Sequence, residues 1–197
     1  MPDSRQHPAV VAIFAPSGTG KSQLAKATAT ELGDEVAARV PVDYFFLPRP
    51  VTMSLAEYVA QPMTYDWDLL RAHLAQPFGT VRTTPDADFT AFTRRADRGG
   101  LPFTIRPVML FDAMVPYPDA DLRVRIDLDD ATRLARLRER DLRWGTAVSD
   151  RAGHVDATWR SAGAEAIVPD VVLDGAVSLE ENARTLAAII LQRLLGA

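Results

Sequence analysis

The sequence predicts an α/β domain, a parallel sheet with helices on both faces. Three observations carry that expectation. Short apolar runs alternate with segments of helical composition along the chain. The first run, Ala9–Phe14, leads into a glycine-bearing loop and then a helical stretch. Two further candidate strands end at acids, Asp43 and Asp112. At 197 residues, 47% hydrophobic and 24% charged, the chain fits one domain, 1–197, with a real core.

The elements follow in order. Residues 1–8 are a polar tail. After Ala9–Phe14, a helix starts near Lys21, runs through Gln23–Leu32 and stops at Gly33. Glu35–Asp43 reads as a strand, and Pro41 places it at an edge or weakens it. Tyr44–Pro50 is an aromatic, proline-bearing loop that regular helix cannot accommodate. Ser54 is placed to cap a short helix to Val59 or Ala60. Asp66 is placed to cap a second, with Leu69, Leu70 and Leu74 on one face, closed by Pro77 and Gly79. Thr80–Gly100 is a polar excursion suited to a small hairpin over the functional side. Arg106–Asp112 and Leu122–Leu128 are strands, and Asp129 or Asp130 opens a helix to about Arg143. Gly145–Ser149 is a break, and Asp150–Ala166 can be helical. Val171–Leu173 is a last strand. Ser178, with Glu181 at capping-box spacing, opens a C-terminal helix to Leu195.

The loop carries the chemistry. Ala15-Pro16-Ser17-Gly18-Thr19-Gly20-Lys21-Ser22 sits between strand and helix, the context that a phosphate-binding P-loop requires. Gly18 and Gly20 let backbone N–H groups turn inward to phosphate oxygens. The helix start adds the positive end of its dipole. Lys21 reaches the β and γ phosphates, and the Ser22 hydroxyl reaches Mg²⁺. The nucleotide contacts expected are Ser17, Gly18, Thr19, Gly20, Lys21, Ser22 and Gln23. Ala15 stands where the motif usually has its first glycine. The fold class expected is therefore the P-loop nucleoside-triphosphate hydrolase fold, with a nucleotide's phosphates and Mg²⁺ at the loop.

Composition narrows the partners. The net charge of −4 gives no reason to expect nucleic acid. Lys21 and Lys26 are the only lysines, so Lys21 is not one of many surface charges. There is no cysteine, hence no disulfide or thiolate metal site, and His7, His73 and His154 lack metal-ligand spacing. No stretch is long enough for a membrane span. The cytoplasm is the default location. The oligomeric state stays open, a homo-oligomer included.

In open parallel sheets, ligands gather beyond the carboxyl ends of the strands. Asp112 there can organise Mg²⁺ with Ser22, or simply cap a turn. Asp43 can accept a proton from an attacking hydroxyl, or serve as a turn residue. Arg136, Arg140 and Arg143 share a helix face, which fits either a solvated surface or a lid, about 140–165, that brings guanidinium groups to a transferring phosphate. The aromatics Tyr44, Phe45, Phe46, Tyr65 and Trp67 can line a substrate pocket or form core.

These residues resemble the uridine kinase and phosphoribulokinase-like family of P-loop kinases. The resemblance rests on the loop, on Asp43 followed by Tyr44-Phe45-Phe46, on Tyr65-Asp66-Trp67-Asp68, on Asp88-Phe89 with Arg94 beyond, on Val108–Asp112, on Arg123–Asp141 and on Pro169–Asp174. It implies transfer of the γ-phosphate of ATP to the hydroxyl of a small molecule. It further implies Asp43 as catalytic base, Ser22 and Asp112 around Mg²⁺, and Arg136 and Arg140 as lid arginines beside Lys21. Tyr44, Phe46, Tyr65, Asp66, Asp68, Phe89 and Arg94 would face the acceptor. The acid that grips ribose hydroxyls in that family falls near Ala60, and its histidine falls near Phe92. Both departures lie on the acceptor side. A nucleoside-like or sugar-like acceptor is expected, against a non-nucleoside alcohol or acid, or a regulatory protein that holds ATP without transferring it.

Overall fold

A computed structural model describes residues 7–143, 159 and 163–196. The Gly145–Ser149 break, most of the Asp150–Ala166 stretch and most of the expected lid lie outside the described residues, as does the start of the N-terminal tail. The elements are β1 (Ala9–Phe14), α1 (Lys21–Leu32), β2 (Ala37–Pro41), a 3₁₀ turn (Val42–Phe45), α2 (Leu55–Val59) and α3 (Trp67–Leu74). There follow β3 (Val81–Asp88), β4 (Thr93–Thr104), β5 (Val108–Ala113), β6 (Leu122–Asp127), α4 (Asp130–Arg143), β7 (Val171–Asp174) and α5 (Leu179–Ile190).

Five strands form one sheet in the order β2-β5-β1-β6-β7, and every pairing is parallel. β1 and β5 are buried along their whole length because both faces of the sheet are covered, which is why they read as continuous apolar runs. Their side chains still alternate. Val11, Ile13 and Leu110 pack with Leu24 of α1 and Leu186 of α5. Val10, Ala12, Met109 and Phe111 pack on the other face with Phe45 and with Leu70 of α3. Among the described residues, no helix is long and apolar enough to cross a membrane.

The register decides where the chemistry falls. Ile13 of β1 is level with Asp112 of β5, and Asp112 is level with Pro41 of β2. The loop after β1, Asp112 and the turn after β2 therefore share one carboxyl edge, with Asp112 in the middle.

β2 is shorter than the expected Glu35–Asp43. Pro41 has no N–H to extend the ladder, and the chain turns at once into the 3₁₀ segment. Asp43 thus lies in the first turn of that segment rather than at a strand end. β2 is an edge strand, where a proline is tolerated. The excursion after Gly79 is a two-stranded antiparallel hairpin that runs on to Thr104.

Three helix starts follow the local sequence. Ser54 forms a full capping box with Glu57. The Asp66 carboxylate accepts from the Leu69 N–H at 3.1 Å. The Ser178 hydroxyl accepts from the Glu181 N–H at 3.2 Å. α5 ends at Ile190, and the last turn, Leu191–Leu195, has π-helical rather than α-helical spacing.

Candidate active site

Gly18 (φ 90°) and Gly20 (φ 98°) take the left-handed conformations that only glycine adopts cheaply. Gly18 also needs to be small: a Cβ there would come 2.7 Å from the Arg133 carbonyl. Ala15 is fully buried and does not share the positive φ, so alanine costs nothing there. α1 starts at Gly20 with no side-chain cap and no acid in its first turn. An uncapped helix start at the end of a central strand is suited to phosphate oxygens. Thr19 is buried, and its hydroxyl donates to the Pro16 carbonyl at 3.0 Å. The Ser17 carbonyl accepts from Arg133 at 3.2 Å, which ties the start of α4 to the loop.

Lys21 is 8% exposed. Its Nζ donates to the carbonyls of Ala15 at 2.8 Å and Pro16 at 3.0 Å. Burial pulls its pKa down to about 8; Asp43 and Asp112 oppose that shift, and Arg140 and Arg133 add to it. Phosphate oxygens would restore the charged form, so binding above about pH 8 must take up a proton. We expect ATP affinity to be flat from pH 6.5 to 7.5. It should then fall by up to about tenfold per pH unit above 8. Calorimetry in buffers of different ionisation enthalpy measures both the affinity and the proton uptake. An affinity that stays constant to pH 9.5 would show that Lys21 does not meet the nucleotide.

The Ser22 hydroxyl donates to Asp112 Oδ2 at 2.5 Å. Asp112 is 4% exposed and is also gripped by Arg39 at 2.8 and 2.9 Å. A serine hydroxyl and one carboxylate suit Mg²⁺, which keeps several waters and takes substrate phosphates as ligands. Among the described residues, no group of three or more His, Cys, Asp or Glu side chains could hold a metal ion.

Asp43 is half-buried. The Tyr65 hydroxyl, itself buried, donates to its Oδ1 at 3.1 Å. Burial raises the Asp43 pKa, the Lys21 charge opposes the rise and Asp112 adds to it. The result is a carboxylate more basic than an exposed one, beside the loop lysine. That is what a general base needs.

The remaining candidates divide. Arg140 is half-buried and close enough for its charge to act on Lys21. Arg136 is exposed and reaches the Gly175 carbonyl at 3.5 Å. It lines a cleft of about 300 Å³ with Thr19, Gly20, Gln23 and Asn182, beside the loop after β7. Phe46 is fully buried and meets Phe89 at 5.5 Å, whereas Phe89, at the hairpin turn, is exposed and meets Tyr44 edge-on at 5.1 Å. Phe46 and Tyr65 are thus core as much as wall, while half-buried Tyr44 and exposed Phe89 present open ring surface. Arg94 donates to Asp66 at 2.9 Å and to the Phe45 carbonyl at 2.5 Å, so Asp66 is engaged by its helix and by Arg94.

Asp68 is almost fully exposed and pairs with Arg71, one helical turn on, at 2.8 Å. Arg71 also holds Asp119 and lies with His7 and Pro8 around the start of β1, at the opposite end of the sheet from the loop. In the first turn of α3, Asp68 forms an i,i+3 ion pair.

Two residues here were not expected from the sequence. Arg39 was concealed in a strand read only for its apolar character, although a lone arginine there was a signal. Arg133, in the first turn of α4, is 3% exposed and packs on Gly18.

No protein-family model matches the sequence, and no curated protein matches it either. Solved structures do match. A protein provisionally assigned as a fructose transport system kinase, from Silicibacter sp. TM1040, superposes with a TM-score of 0.61 at 21% identity, covering 88% of this chain and 93% of that one. The YGR205w protein gives 0.54 at 14% identity, covering 87% and 88%. A gluconokinase from Sinorhizobium meliloti 1021 gives 0.53 at 14% identity, covering 98% of both chains. At these identities the likeness establishes the shared α/β fold.

Proposed function

We propose that this chain is a small-molecule kinase that moves the γ-phosphate of ATP to a hydroxyl of a sugar-like or nucleoside-like acceptor. The observation that carries the reading is Asp43. It is a half-buried carboxylate with a raised pKa, held by Tyr65, within electrostatic reach of Lys21 and Asp112. A protein that only held ATP would have no use for a base beside the phosphate loop. Two of the structural neighbours bear kinase names, one of them a gluconokinase, which favours the sugar-like end of the range. The motifs shared with the uridine kinase and phosphoribulokinase-like family support the same chemistry. The cytoplasm, where ATP is supplied, is the location this activity suits.

In this reading Lys21 leaves the Ala15 and Pro16 carbonyls for the phosphates. The loop N–H groups and the α1 start hold the β and γ oxygens. Arg140 adds positive charge as the phosphoryl group loosens. The acceptor oxygen bonds to the γ-phosphorus, the bond to the β–γ bridging oxygen breaks, and ADP leaves. Asp43 takes the hydroxyl proton. Mg²⁺, when bound beside Ser22 and Asp112, supplies charge neutralisation on the phosphate oxygens. Tyr44 and Phe89 offer ring faces to the acceptor and shield it from water.

The acceptor is tested by ADP release across ribonucleosides, free sugars and sugar acids. Ala60 is exposed, and Phe92 packs on Phe46 at 5.6 Å and on Tyr58 at 5.2 Å, so neither offers a polar group to a ribose. A site built without those partners does not select a ribose hydroxyl. Weak or no turnover of uridine and cytidine is expected, with saturable turnover of a sugar or sugar acid. Efficient phosphorylation of either nucleoside, with a low KM, would assign the ribose grip to other residues, Asp66 first.

A further inference from the structure

Arg39 takes no part in the chemistry above, yet it occupies a central place. It lies on the edge strand β2, where its neighbours Ala37, Ala38 and Val40 are small or apolar. Its Nε and Nη2 form a two-pronged pair with Asp112 Oδ1 at 2.8 Å and Oδ2 at 2.9 Å. Ser22 donates to the same Oδ2. Both oxygens of this buried carboxylate are therefore held by protein donors. The Arg39 charge also acts on Asp43. The two acids, Asp43 and Asp112, are thus matched by two cations, Lys21 and Arg39, with Arg133 and Arg140 adding positive charge around Lys21.

Without Arg39, two partly buried carboxylates and a serine hydroxyl would draw a divalent cation. With it, the acids are already neutralised, and a cation that dehydrates reluctantly gains little by entering. A polyphosphate changes the balance, because it brings several negative charges of its own.

We propose that Arg39 is a positioning residue and the resident counter-ion of Asp112. It holds the carboxylate in register with Ser22 and keeps free divalent cations out until a nucleotide carries one in. This rests on the reading of Ser22 and Asp112 as the Mg²⁺ environment. Arg39 also ties β2 to β5, but the parallel ladder between those strands already does so. A purely structural pair would leave metal affinity unchanged.

The test is Mn²⁺ titration of the full chain, read by electron paramagnetic resonance, with and without a non-hydrolysable ATP analogue. Wild type, Arg39→Gln, Arg39→Lys, Asp112→Asn and the Arg39→Gln/Asp112→Asn double variant are compared, with folding checked by circular dichroism. Without nucleotide, Arg39→Gln should bind Mn²⁺ at least about tenfold more tightly than wild type, the change expected from removing one neighbouring positive charge. Arg39→Lys, which keeps the charge, should behave as wild type. The double variant should lose the gain, which locates it at Asp112. If Arg39→Gln does not fold, Arg39→Leu, apolar like its neighbours, takes its place with the same expectation. Nucleotide-free wild type binding Mn²⁺ as tightly as a folded Arg39 variant overturns the inference alone. With the analogue present, Mn²⁺ binding that Asp112→Asn leaves unaltered overturns the metal-site reading itself, and the inference with it.

Discussion

Replacing Lys21 with methionine should abolish ATP turnover and leave the fold intact. Methionine matches the length of the lysine stem and brings no charge. The loss of a cation placed on the transferring phosphate costs on the order of 10³-fold or more. The stability side is less obvious. Lys21 is buried, and its pKa is held down to about 8 from 10.5 by that burial. That shift amounts to about 3 kcal/mol against the charged form at neutral pH. Its hydrogen bonds to Ala15 and Pro16 recover part of the cost. Methionine gives up both, so the midpoint of unfolding should hardly move. The pH dependence gives a sharper sign. Between about pH 8 and 10.5 the unfolded lysine is protonated and the folded one is not, so wild-type stability rises with pH through that window. The methionine variant lacks that contribution, and the stability difference between the two proteins should shift in favour of wild type as pH rises. Urea unfolding at pH 7.5 and 10 measures it. Retained turnover in a folded Lys21→Met protein would remove the loop from the phosphate site.

Asp43→Asn is expected to cost about 10²–10⁴-fold in turnover, the usual loss of a general base. Asparagine keeps the size and can still accept from the Tyr65 hydroxyl, but it cannot take the proton. ATP affinity should stay close to wild type, because the loop carries it. Stability should not fall either. The Asp43 pKa is raised by burial, so its ionised form opposes folding as pH rises through that value, and the amide removes the penalty. Near-normal turnover would place the base elsewhere. Loss of ATP binding instead would place Asp43 with the metal rather than the acceptor.

What the sequence disclosed was local. The stretch from Ala15 to Ser22 is contiguous, so its chemistry could be read without a fold. The caps at Ser54, Asp66 and Ser178 act within one turn and were equally legible. Asp112 was placed by the apolar run that ends at it. What stayed hidden depended on strand order. Nothing in the chain announces that β5 lies between β1 and β2, and that order is what sets Arg39 against Asp112 across 73 residues of sequence. The contact of Arg133 with Gly18 is of the same kind. Asp68 was singled out through the Tyr65–Asp68 stretch, and its ion pair with Arg71 was not among the readings of that stretch. Asp43 was found for its position at the end of a candidate strand, although Pro41 turns the chain into a 3₁₀ segment before it.

The central claim is that this site transfers phosphate to a hydroxyl rather than merely holding nucleotide. The most direct measurement follows the label from [γ-³²P]ATP with Mg²⁺ and a pool of small metabolites, using wild type and Asp43→Asn side by side. The account predicts label in an organic phosphate with wild type, and its near-absence with Asp43→Asn although ATP binds both. Label that remains in ATP or appears only as inorganic phosphate, alike in both proteins and whatever acceptor is present, would contradict it.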